Sequence, residues 1–166
     1  MINPNQLIEH IIEPVITKLK FDTNNVKGAV ALILYTAKQE SECGEYIAQL
    51  GNGPARSFLQ IEKPTYDDCF TNWLDNLPKT RDVVLSIAGA NEKPDYSYVV
   101  GNMFLSTAIA RCQYRRSPHP IPLWNDLDGM WLIYKNAYNS IKGAAQEDEF
   151  KSNCVHVMHY LEDFNP

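Results

Sequence analysis

With 166 residues, 15 basic against 20 acidic side chains and a formal charge of −5, the chain is too acidic to wrap nucleic acid through a broad basic face. Its length fits one domain, residues 1–166, able to bury a core without staples. Cys43, Cys69, Cys112 and Cys154 stand far apart with no C-x-x-C pair, which argues for idle thiols rather than a disulfide framework or a zinc ribbon. No basic stretch followed by an apolar core opens the chain, and no apolar run is long enough to span a bilayer. The expectation is synthesis in a cytoplasm without a signal peptide and without membrane insertion.

Leu7, Ile8, Ile11, Ile12, Val15, Ile16 and Leu19 recur every three to four residues, predicting an amphipathic helix over 4–20 that Pro14 should kink. Asp22 to Asn25 form a turn and cap cluster. The next helix, 26–39, is apolar on nearly all sides and should be central. Gly44, Gly51, Gly53 and Pro54 break the pattern, predicting a loop or short hairpin over 43–57. Pro64 opens a further helix in which Asp67 and Asp68 read as first-turn acids favoured by the helix dipole. Helices follow over 80–88 and 98–115. A proline-rich crossing, 117–122, then runs extended, and two last helices span 126–138 and 147–161. The fold class is mainly α, with at most a small β element near residues 45–60.

Glu40 leaves the apolar run Ala29–Ala37 and enters a segment rich in glycine and turn residues. Apolar surroundings disfavour a charged carboxylate and raise its proton affinity, and a carboxylic acid kept protonated near neutral pH can serve as the general acid of glycoside cleavage. Around it stand Gln39-Glu40-Ser41, the loop Gln49-Leu50-Gly51-Asn52-Gly53-Pro54-Ala55, the stretch Leu59-Gln60-Ile61-Glu62-Lys63-Pro64-Thr65-Tyr66-Asp67-Asp68 and, much later, Tyr138-Asn139. In this order they resemble the goose-type lysozyme and soluble lytic transglycosylase superfamily, and more closely its phage-encoded domains. The likeness runs from about residue 26 to 150, with its specific part ending at Asp68.

The resemblance implies a single lysozyme-like domain that cleaves the β-1,4 bond between N-acetylmuramic acid and N-acetylglucosamine in peptidoglycan. Glu40 would be catalytic, acting first as acid and then as base. Ser41, Gln60, Glu62, Tyr138 and Asn139 would contact or frame the substrate, with Tyr138 orienting Glu40 or lining the subsite floor. In the transglycosylase route the base takes the proton of the sugar's own 6-hydroxyl; in a hydrolase a second carboxylate, for which Glu62 is preferred, activates water. No metal and no cofactor are implied. The implied partner is the glycan strand, joined by other virion proteins where the domain is virion-borne, with release to the periplasm as the other destination. Two departures stand out. Ser57 replaces the family's usual glycine, and its side chain should narrow the groove or exclude a positive backbone dihedral, while Lys63 falls where relatives carry a small residue.

Competing readings come from other classes: a non-catalytic lysozyme-like component of a virion, and a muramidase or chitinase-like hydrolase. Arg111, Arg115 and Arg116, with Tyr114 and His119, form a local basic cluster that reads as a solvated helix end or as a contact for carboxylate-bearing wall polymers. His156 and His159 share a helical face but lack a third metal ligand nearby. Among the tryptophans, Trp73 and Trp131 read as core, the latter beside Met130, Ile133 and Tyr134; Trp124 looks placed for exposure.

Overall fold

Pro14 shapes the amino-terminal helical run. In the computed structural model, which describes residues 1–139 and 143–166, α1 (Pro4–Leu7) passes through a π turn at Ile8–Ile12 into α2 (Glu13–Leu19). Proline has no N–H to give the carbonyl one turn back, and the Glu13 N–H reaches five residues back to the Ile8 carbonyl. The expected kink is therefore a widened turn. Leu7, Ile8, Ile12, Val15 and Ile16 keep one buried stripe through it.

Helix α3 (Val26–Ser41) is the central strut, buried at every position from Gly28 to Ala37 and touching α2 on one side. Full burial of Val30, Leu32, Ile33 and Leu34 contributes about 1.5–3 kcal/mol each. Asn25 caps it. Its side-chain oxygen accepts from the Gly28 N–H, while its amide donates to the carbonyls of Ile121 and Pro122, clamping the proline-rich crossing onto the helix start. Only glycine fits at 28, where a Cβ would lie 2.4 Å from the Pro122 oxygen.

After α3 the chain turns through residues 43–62. The small β element expected there is reduced to two isolated antiparallel bridges, Ala48 with Arg56 and Arg56 with Ile61. Helix α4 (Lys63–Asp68) continues into a π turn at Cys69–Trp73. Because this helix starts at Lys63, Asp67 and Asp68 fall beyond its first turn, contrary to the sequence reading. Each is instead held by cations: Asp67 by Lys63 and Lys93, Asp68 by Arg116.

Helix α5 (Pro78–Ala88) follows, and the helix expected over 98–115 is split at Asn102 into α6 (Tyr98–Gly101) and α7 (Met103–Arg115). Asn102 leaves helical geometry and caps α7, its side chain accepting from the Leu105 N–H at 2.9 Å. Helix α8 (Leu127–Tyr134) starts at an Asp126 cap and widens into a π turn at Lys135–Asn139, and α9 (Glu147–Met158) closes the fold with three acids in its first turn. Helices α7, α8 and α9 all pack on α3. One apolar core, from Leu7 to Leu161, joins every helix named here except α6's exposed side. Among the described residues no helix is long and apolar enough to cross a membrane.

Two sequence expectations change here. Arg111 is no part of a solvated helix end: its side chain is 1% exposed and holds Asp22 through Nε to Oδ2 at 2.8 Å and Nη2 to Oδ1 at 2.5 Å. Trp124 is half-buried under the Lys27 ammonium, 4.6 Å from the ring centroid, and its carbonyl accepts from Tyr35.

Candidate active site

Glu40 is the penultimate residue of α3, where the buried strut meets the surface. Its carboxyl is half-buried, and burial pushes its pKa up from the ordinary carboxylate range to about 7. A hydrogen bond donated by the Tyr134 hydroxyl to Oε1 at 2.7 Å opposes that rise and fixes the carboxyl's direction. One turn below on α3, Thr36 shares a buried 2.6 Å hydrogen bond with the Tyr114 hydroxyl. The rings of Tyr114 and Tyr138 stack at 5.2 Å, and those of Tyr134 and Tyr138 at 6.2 Å. Three tyrosines from two helical segments thus pack around the foot of one carboxylate.

The opposite wall is a tight loop. Arg56 and Ile61 exchange backbone hydrogen bonds at 2.9 and 2.7 Å, closing residues 57–60 into a turn in which Ser57 (φ +72°) and Gln60 (φ +47°) are left-handed. Ser57 therefore does not exclude a positive dihedral, as its side chain was expected to do. Its Oγ accepts from the Leu59 N–H at 3.2 Å and so satisfies a donor inside the turn. Such backbone geometry costs about 1–3 kcal/mol per non-glycine residue and persists only when its surroundings impose it. Here three hydroxyls do so by donating to carbonyls in and beside the turn: Ser41 to Phe58 at 2.5 Å, Tyr138 to Leu59 at 2.7 Å and Tyr96 to Ile61 at 2.7 Å. The result aims the Gln60 side chain along a wall, its amide donating to the Ser57 carbonyl.

Between helix end and loop lies a cleft of about 750 Å³, lined by Glu40, Gln60, Glu62, Tyr138 and Asn139 among others, with Tyr46 and the exposed Leu50 on its lip. Among the described residues, the cleft lining includes no lysine, arginine or histidine. Lys135 braces its floor, donating to the Asn139 side chain at 3.0 Å and to the carbonyls of Gly143 and Ala145. Glu62 stands exposed at the rim.

Five of the six residues singled out in the sequence meet in this cleft. Ser41 does not: at 1% exposure it lies beneath the cleft, where its Oγ donates to Phe58 and accepts from the Gly44 N–H. It is a positioning residue, not a substrate contact. Tyr138 lines the floor, while the orienting role falls to Tyr134, which the sequence reading left in the core. The spacing held a signal: Tyr134 and Tyr138 are four residues apart and share a helical face. Comparison with known proteins adds no relative, since no family model, no curated protein and no solved structure matches the chain.

Tyr134→Phe is expected to keep the ring packing on Phe150, lose about 1 kcal/mol of stability and raise the Glu40 pKa further, because the lost donor favoured the carboxylate. Carbon-13 NMR titration of the Glu40 carboxyl checks the direction; a midpoint that stays or falls would refute the role given to Tyr134.

Proposed function

We propose that the chain is a lysozyme-like glycosidase that cleaves the MurNAc-GlcNAc β-1,4 bond of peptidoglycan. The observation that carries this reading is a single half-buried carboxyl whose pKa burial raises to about 7, opening into a cleft of about 750 Å³ lined by polar and aromatic side chains. The order of motifs around Glu40 and their convergence on that cleft support the soluble lytic transglycosylase and goose-type lysozyme lineage. Its phage-encoded branch supports a role on a virion or in the periplasm of an infected host.

In the proposed mechanism Glu40 gives its proton to the glycosidic oxygen as the bond to the anomeric carbon breaks, which relieves negative charge on the leaving group. The resulting carboxylate, steadied by the Tyr134 hydroxyl, then takes the proton of the same sugar's 6-hydroxyl as that oxygen closes on the anomeric carbon. The product is a 1,6-anhydro end, and Glu40 is protonated again. Gln60 and Asn139 offer amides to the sugar's acetamido and hydroxyl groups, and Tyr138 offers an apolar ring face. Activity should fall as pH rises through about 7, where the acid loses its proton.

One observation favours a second reading. Glu62 lines the same cleft, so a hydrolase in which it activates water shares the geometry. Digesting purified sacculi and weighing the soluble fragments by mass spectrometry separates the two: anhydro ends are expected, and reducing ends select the hydrolase. Cleavage of chitin oligomers alone selects a chitinase-like enzyme, and no fragment from either polymer overturns the catalytic reading in favour of a structural virion component.

A further inference from the structure

A second groove of about 740 Å³ continues the Glu40 cleft, since Thr65 and Gln113 line both. Its chemistry differs. The groove is lined by Arg116 and His119, with Asp68, Gln113 and Asn136 between them, whereas the described residues of the cleft include no cationic side chain. Arg116 is not a loose surface cation. Asp68 grips its Nη1 at 2.5 Å, and Asp68 is in turn held by the Asn72 amide at 2.6 Å. That grip leaves the Nε and Nη2 edge of the guanidinium without a hydrogen-bond partner among the described residues. This is the edge whose parallel donors match a carboxylate. Gln113 donates its amide to the Ala137 carbonyl, and its own carbonyl oxygen, without a hydrogen-bond partner among the described residues, can accept an N–H. A fixed two-pronged donor, an amide acceptor and an exposed imidazole in one trough suit an acidic peptide better than a neutral sugar.

Resting on the glycosidase reading above, we propose that this groove holds the acidic peptide carried by the glycan strand, with Arg116 pairing side-on with a peptide carboxylate and Gln113 accepting a peptide N–H. The trough then reads a branched ligand: sugars pass Glu40 while their substituent lies along α4 and the end of α7. Arg116 becomes the specificity residue, and the basic cluster noted in the sequence divides into two parts. Arg111 is structural, and Arg116 faces the ligand.

The test compares intact sacculi with glycan strands stripped of peptide by an amidase, using the ratio of kcat/KM on the two. The wild-type protein is expected to favour the peptide-bearing polymer, and Arg116→Gln to lower that preference about tenfold. Arg116→Lys, which keeps the charge but not the fork, should restore it only partly. Binding of the soluble disaccharide-tetrapeptide and of the bare disaccharide to Glu40→Gln protein, measured by calorimetry, gives a readout independent of turnover. If R116Q keeps the wild-type ratio, or the wild type shows no preference in cleavage and binding, the peptide groove is wrong and the glycosidase reading survives. If the protein cuts neither polymer yet binds the peptide-bearing sugar more tightly, and R116Q abolishes the difference, the groove stands and the catalytic reading falls. Equal binding of both sugars without cleavage overturns both.

Discussion

Glu40→Gln should abolish glycan cleavage, by about a thousandfold or more, while making the folded protein more stable in neutral and alkaline solution. The loss follows because glutamine has no proton to give, and a positioned acid supplies about a hundred- to ten-thousandfold of rate. The gain follows from linkage. The folded state raises the Glu40 pKa from 4.5 to about 7, so the native protein binds a proton more tightly than the unfolded chain does. Stability contributed by that proton is full below pH 4.5 and is lost as pH rises through 7. Above 7 the wild type keeps a desolvated charge that glutamine lacks. At about 1.4 kcal/mol per unit, and with allowance for a half-buried side chain, the variant should gain about 1–3 kcal/mol at pH 8 and nothing at pH 4. Urea denaturation at the two pH values checks the sign. A variant no more stable at pH 8 than the wild type would mean that Glu40 is not held protonated by its surroundings.

Arg111→Met should cost about 3–5 kcal/mol, the largest stability effect expected from one side chain outside the apolar core. Arg111 and Asp22 are 1% and 7% exposed, their pairing ties α7 to the turn between α2 and α3, and removal of the cation strands a carboxylate in low dielectric. The Arg111 Nη1 already lacks a hydrogen-bond partner among the described residues, which makes the pair less than fully satisfied. The double variant Asp22→Leu with Arg111→Met should therefore recover most of the loss, since an apolar pair carries no desolvation penalty. Equilibrium unfolding of both variants decides it: equal destabilisation would show that packing of the arginine stem, not the orphaned charge, dominates.

Much of the site was legible because local chemistry announced it. An apolar helix delivering one glutamate into a turn-rich segment is a pattern of residue types, and Glu40, Gln60, Glu62, Tyr138 and Asn139 do line one cleft. Helix positions were legible for the same reason, through spacing. What escaped depended on partners far along the chain. Ser41 was misread because adjacency to Glu40 says nothing about direction, and successive helical residues point about 100° apart. Arg111 was read as solvated because Asp22, its partner, lies 89 residues away. Tyr134 and Tyr138 differ by one helical turn, and the choice between them was set by the π turn at Lys135–Asn139 and by the loop whose carbonyl Tyr138 takes. Asp67 and Asp68 were misplaced because the helix began one residue before its proline.

The hydrogen bonds that build the cleft join residues 94 positions apart, Glu40 to Tyr134, and 79 apart, Tyr138 to Leu59. Neither the hydrogen bond that orients the acid nor the one that Tyr138 gives to the facing turn can form on a ribosome-bound chain until synthesis has passed Tyr138. In the proposed glycosidase the donor's orientation would thus come only with near-complete synthesis and folding, a timing set by topology.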